Sequence, residues 1–143
     1  MRPALMFISF LLLPMTVIGQ TDQNDLFQSC RQQAGEDAVY LKDFVVKFPA
    51  ARDGQDIPVS KNSVILSKNI VYRFTICSSD QLEGEAILQL WDDRRMLVTN
   101  HVSGKVYSSI EFHCQKTGRY HVLISFKEGK AGEAVSIMSY IRD

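Results

Sequence analysis

The chain has 143 residues, 45% of them hydrophobic, with 16 basic residues against 16 acidic ones and a formal net charge of zero. That is one domain's worth of chain, with enough apolar content to bury a real core. The even balance and the lack of any basic block exclude the nucleic-acid and membrane-surface classes, and give no long-range attraction toward a charged substrate.

Met1 to Gly19 reads as a secretory signal peptide. Arg2 supplies the positive start, Ala4 to Ile18 the apolar run, and Val17-Ile18-Gly19 the small-residue pattern before a cut. Pro14 and the shortness of the run argue against an uncleaved anchor helix. No Cys stands just after the run, so lipid attachment is not expected, and no second apolar stretch is long enough to span a bilayer. Cleavage would leave Gln20 first and, with Arg2 gone, a net charge of about −1.

The three cysteines, Cys30, Cys77 and Cys114, all lie in the exported part, where an oxidising compartment permits a disulfide. Spacing cannot choose among the three pairings. Cys114 is in phase with the apolar set of its strand and suits a buried free thiol, whereas Cys77 lies opposite Tyr72, Phe74 and Ile76. No C-x-x-C spacing points to a metal.

Residues 20–37 are expected to form an N-terminal helical segment and 38–143 the main domain. Thr21 to Asn24 is polar and reads as loose. Asp25 to Gln33 reads as a short helix, with Leu26, Phe27 and Cys30 on one face, Asp25 as cap and Gly35 as terminator. Strands follow at Ala38 to Phe48, Val64 to Leu66, Ile70 to Cys77, Ala86 to Trp91 and Met96 to Thr99. Ala50 to Lys61, Ser78 to Gly84, Asp92 to Arg95 and Asn100 to Lys105 read as connections, and Ala134 to Ile141 as the last strand. Between them Val106 to Ile124 reads as strand, short polar connection, strand. Val106, Ser108, Ile110, Phe112 and Cys114 share one face, then Tyr120, Val122, Ile124 and Phe126. About eight short strands with regular turns and one small helix predict an all-β antiparallel sandwich or barrel.

Few residues announce chemistry. His113 and His121 would face each other if their strands pair, as two ligands of a metal, with Glu111 on the same face. In a sandwich, however, the two strands can belong to different sheets. Asp92, Asp93 and Asn100 offer oxygens to calcium, but without the regular D-x-D-x-D-G spacing, and Arg94 and Arg95 can neutralise the aspartates. Trp91, the only Trp, is in phase with Ile87 and out of phase with Leu88 and Leu90. It is either exposed, to stack on a sugar or anchor a protein with Tyr107 or Tyr140, or covered by the N-terminal helix. No G-x-S-x-G elbow or other nucleophile signature occurs.

Leu88 to Asp93, Leu97 to Asn100 and Ile110 to Phe126 (LQLWDD, LVTN, IEFHCQKTGRYHVLISF) resemble the bacterial pre-peptidase C-terminal domain. Tyr40 to Phe44, Tyr72 to Cys77, Ile87 to Asp92 and Lys116 to Phe126 are similar to a group of small secreted bacterial proteins of unknown role. The resemblance spans roughly Val64 to Ile141 and implies a jelly-roll β-sandwich. Pre-peptidase domains ride on a protease, and some bind calcium or matrix protein. No calcium ligand of theirs matches securely, and no enzyme is attached here.

The expectation is therefore a non-enzymatic binding or assembly module of a Gram-negative envelope, periplasmic or secreted. Its partner would be a protein and its cofactor none, with calcium the one ion worth testing. The expected contact surface is Trp91, Asp92, Asp93, Arg94 and Asn100 with neighbouring Tyr107. A carbohydrate-binding module is the alternative, with Trp91 stacking on the ring and Asp92 or Asn100 bonding hydroxyls. A small secreted hydrolase stands behind it.

Overall fold

The computed structural model describes residues 20–143; the expected signal peptide lies outside the described residues. Helix α1 (Gln20–Gln33) comes first, followed by β1 (Ala38–Phe48), β2 (Ser60–Leu66), β3 (Val71–Ser78), β4 (Ala86–Trp91) and β5 (Met96–Thr99). A two-residue pair, β6 (His101–Val102) and β7 (Lys105–Val106), precedes β8 (Ser109–His113), β9 (Gly118–Phe126) and β10 (Gly132–Ile141).

Eight of these strands make two four-stranded sheets, β1-β10-β3-β8 and β2-β9-β4-β5. Every neighbouring pair is antiparallel. Setting the small β6-β7 pair aside, first strand meets last, second meets second-to-last, and so inward to β4 and β5. That nesting is the jelly roll, an all-β sandwich of eight strands.

The period of two decides which side chains go inside. In β4, Ala86, Leu88 and Leu90 are buried while Ile87, Gln89 and Trp91 are only partly so. In β9, Tyr120, Val122, Ile124 and Phe126 are buried. They meet Phe44, Val46, Tyr72, Phe74 and Ile76 of the facing sheet in one core. Each such side chain contributes about 1.5–3 kcal/mol on leaving water. Gly132 is fixed by this packing, because a Cβ there would lie 2.2 Å from the Phe126 ring.

Helix α1 covers the outer face of the β1-β10-β3-β8 sheet. Cys30 and Ala34 bury against Cys77, Val135 and Ile137, with Leu26, Phe27 and Ala38 at the edges. This second layer explains why β10 is almost uniformly buried, with Ala134 and Met138 facing the sandwich and Val135 and Ile137 the helix. Cys30 and Cys77 form a disulfide, and Cys114 is a buried free thiol, as its phase implied. Arg73 clamps the helix exit, donating to the Ala34 carbonyl at 2.6 Å and to the carboxylates of Asp37 and Glu111 at 2.8 and 2.7 Å. The Arg73 hydrogen bonds hold the Asp37 carboxyl below its usual range. Gly35 ends the helix at φ +93°, where a side chain would be strained.

Three expectations change. Thr21 to Asn24 is helical, so Asp25 stands inside the helix and does not cap it; the stretch is polar, but it holds no Gly or Pro to break a helix. Strand β2 begins at Ser60, earlier than its apolar residues suggest. The run from Ile110 to Ile124 is no hairpin. β8 belongs to one sheet and β9 to the other, so Cys114 to Thr117 carries the chain across the sandwich.

Candidate functional site

With α1 on one sheet, the outer face of the β2-β9-β4-β5 sheet is left as the uncovered broad face among the described residues. The helix therefore does not cover Trp91. Antiparallel register places Ser63, His121, Trp91 and Met96 in one row across the four strands. Lys61, Leu123, Gln89 and Thr99 form the next row. Met96 is 42% exposed, and Ile65, farther along β2, is 67% exposed.

Local hydrogen bonds fix this row. The Trp91 Nε1–H donates to Gln89 Oε1 at 2.9 Å, two residues back on the same face. His121 is held at both ring nitrogens, with Ser63 Oγ 3.1 Å from Nδ1 and Asp93 Oδ1 2.9 Å from Nε2. A cavity of about 280 Å³ opens beside it, bounded by Lys61, Trp91, Asp92, Asp93, His121 and Leu123. An aromatic edge with imidazole, carboxylate and ammonium groups around one hollow is a recognition surface in chemical terms.

The β4–β5 turn sets its rim. Asp92 Oδ1 accepts the N–H groups of Arg94 and Arg95 at 2.7 and 2.8 Å. Those two hydrogen bonds, and the nearby arginine charges, keep the Asp92 carboxyl below its usual range. Asp92 thus builds the turn, which leaves Asp93 free to reach His121. The order Ser63–His121–Asp93 contains the groups of an acyl-transfer triad. In a working triad, however, the carboxylate is buried and oriented by its surroundings, whereas the Asp93 side chain is 80% exposed. The arrangement positions an imidazole beside an indole.

Of the residues expected at the contact surface, Trp91, Asp92 and Asp93 come together here, and Arg94 lies on the same turn. Asn100 does not join them. It is 1% exposed; its Oδ1 accepts from the Leu88 N–H at 2.7 Å, and its Nδ2 donates to the Ala86 and Tyr107 carbonyls at 3.0 Å each. A buried amide so engaged has no hydroxyl or calcium to serve. Tyr107 is exposed, but it is tied to Asn100 at the Ala86 end of β4, at the far end of the strand from Trp91. Tyr140 packs against the sandwich core.

His113 and His121 do not meet. His113 pairs with Val71 in one sheet, and His121 stands between Ser63 and Trp91 in the other. Glu111 is the partner of Arg73. Among the described residues no group of three His, Cys, Asp or Glu side chains could hold a metal ion, and no helix is long and apolar enough to cross a membrane. The residues that sequence reasoning passed over are Lys61, Ser63, Met96 and Leu123. Which strands lie beside β4 is not written in any local pattern, so nothing in the sequence marks these four as its neighbours.

No protein-family model matches the chain, and no curated protein matches it. Neither comparison supports the resemblance to the pre-peptidase C-terminal domain. Among solved structures the chain is similar to the crystal structure of Aeromonas hydrophila PliG, a periplasmic lysozyme inhibitor of g-type lysozyme. Identity is 7% and the TM-score 0.49, over 69% of this chain and 84% of that one.

Proposed function

We propose that this chain is an exported, non-enzymatic module of the bacterial envelope that holds a protein partner on the outer face of the β2-β9-β4-β5 sheet. The observation that carries the reading is the uncovered row Ser63–His121–Trp91–Met96, in which two polar side chains are followed by two apolar ones across four strands. Trp91 and Met96 belong to the types enriched where proteins meet, and a single well-placed Trp can dominate such a contact. The apolar N-terminal run and the Cys30–Cys77 disulfide support export to an oxidising compartment.

The test immobilises residues 20–143, as wild type and as Trp91→Ala, against envelope extract of the source organism. One protein recovered in fixed ratio by the wild type and lost with the variant is the expected result. Equal recovery by both would remove the sheet face from the reading.

A glycan is the second reading, favoured by the cavity beside Trp91 with Asp93, His121 and Lys61 around it. Titration with peptidoglycan fragments, followed by the fluorescence of the single Trp, separates the two. Saturable quenching by a fragment, with no protein recovered, moves the assignment to the glycan.

A further inference from the structure

The opposite side of the β4–β5 turn holds a second cavity, of about 700 Å³, between that turn and the β8–β9 crossover. Arg94, Arg95, Lys116 and Arg119 line it, and Leu97 and Phe112 supply apolar surface. We propose that this cleft binds an acidic peptide segment of a protein partner. The inference goes beyond the sheet-face reading, because it uses different side chains and a different side of the turn.

Charge supplies the first argument. Two carboxylates line the cleft against four cations, and each is engaged elsewhere through one of its oxygens. Asp92 Oδ1 is taken by two backbone N–H groups, and Asp93 Oδ1 by His121. No described ion pair involves Arg94, Arg95, Lys116 or Arg119. Zero net charge for the whole chain thus conceals a cleft in which the cations outnumber the available anions.

Local chemistry chooses between anions. Arginine forks suit carboxylate and phosphate alike. Phosphate sites add backbone N–H groups converging on the oxygens. Here the N–H groups of Arg94 and Arg95 are already taken by Asp92, and the four cations are exposed side chains spread round a hollow with apolar walls. Carboxylates spaced along a chain with apolar side chains between them match that layout; a compact phosphate does not. Exposure of the cations also makes the contact salt-sensitive.

The experiment measures fluorescence anisotropy of a fluorescein-labelled peptide of alternating glutamate and leucine against residues 20–143. A lysine–leucine peptide and inorganic polyphosphate are the comparison probes. The expected result is saturable binding of the glutamate peptide, weakened about tenfold or more by the double variant Arg94→Ala/Arg119→Ala. Trp91→Ala should bind it as wild type does. The turn survives the arginine variant because Asp92 holds a backbone N–H at position 94, and an unchanged unfolding midpoint checks this. No saturable binding, equal binding by the arginine variant, or tighter binding of polyphosphate would overturn the proposal. Loss with Trp91→Ala alone would place the peptide on the sheet face and empty the cleft of its role.

Discussion

Asn100 and Tyr120 show how polar atoms are accommodated between the sheets. Asn100 closes the gap where β5 gives way to the β6–β7 pair, joining Leu88, Ala86 and Tyr107 through one amide. Replacement by Leu, similar in volume, strands one N–H and two carbonyls in a dry site. The expected loss is about 2–4 kcal/mol of stability, read from urea unfolding. The Tyr120 phenol is pushed up to about 12 from 10.0, first by burial and then by its hydrogen bond with Cys114. Its folded form therefore keeps the proton longer than the unfolded chain does. Stability from this group is complete below pH 10 and drains away as pH rises toward 12. In Tyr120→Phe the alkaline decline of the unfolding midpoint should be shallower than in wild type. At this scale the sequence was a partial guide. It singled out Trp91 and the Asp92–Asp93 turn, because a lone indole and paired aspartates are conspicuous. It misread Asn100 as a surface donor, because an Asn beside a turn looks the same whether its amide faces water or three backbone groups.

Helix α1 is the element whose place depends on few contacts. It has one apolar stripe, the Cys30–Cys77 disulfide, and the Arg73 clamp at its exit. The disulfide spans 47 residues, a loop for which chain-entropy estimates give about 4 kcal/mol. The double variant Cys30→Ala/Cys77→Ala is expected to lose stability of that order in denaturant, and wild type in reductant should match it. If the sandwich alone carried the stability, neither treatment would move the midpoint. The strands β1, β4 and β5 were legible to the residue, since each is an apolar-rich run stopped by a Pro, Asp or Asn. The ends of α1 and β2 were not. Both begin in polar sequence, where hydrophobic phase is silent and only the absence of breakers speaks.

Across the whole molecule, the antiparallel all-β class and about eight sandwich strands were readable from turn spacing. Sheet membership was not. Ile110 to Ile124 has the same alternation in a hairpin as in a crossover between sheets, and only the full nesting of pairs decides. The same gap hid Ser63 and Lys61 beside Trp91, for these residues meet through β9 and not through neighbouring sequence. The helix tether adds a consequence for biogenesis. If the chain is exported N-terminus first into an oxidising space, as proposed, it presents Cys30 and Cys77 before Cys114 has emerged. The correct pair can therefore close while the competing thiol is still behind the translocation pore. It then waits for β10, the strand that slots between β1 and β3, to arrive last and complete the sheet beneath the helix. On that route the order of emergence itself favours the Cys30–Cys77 bridge.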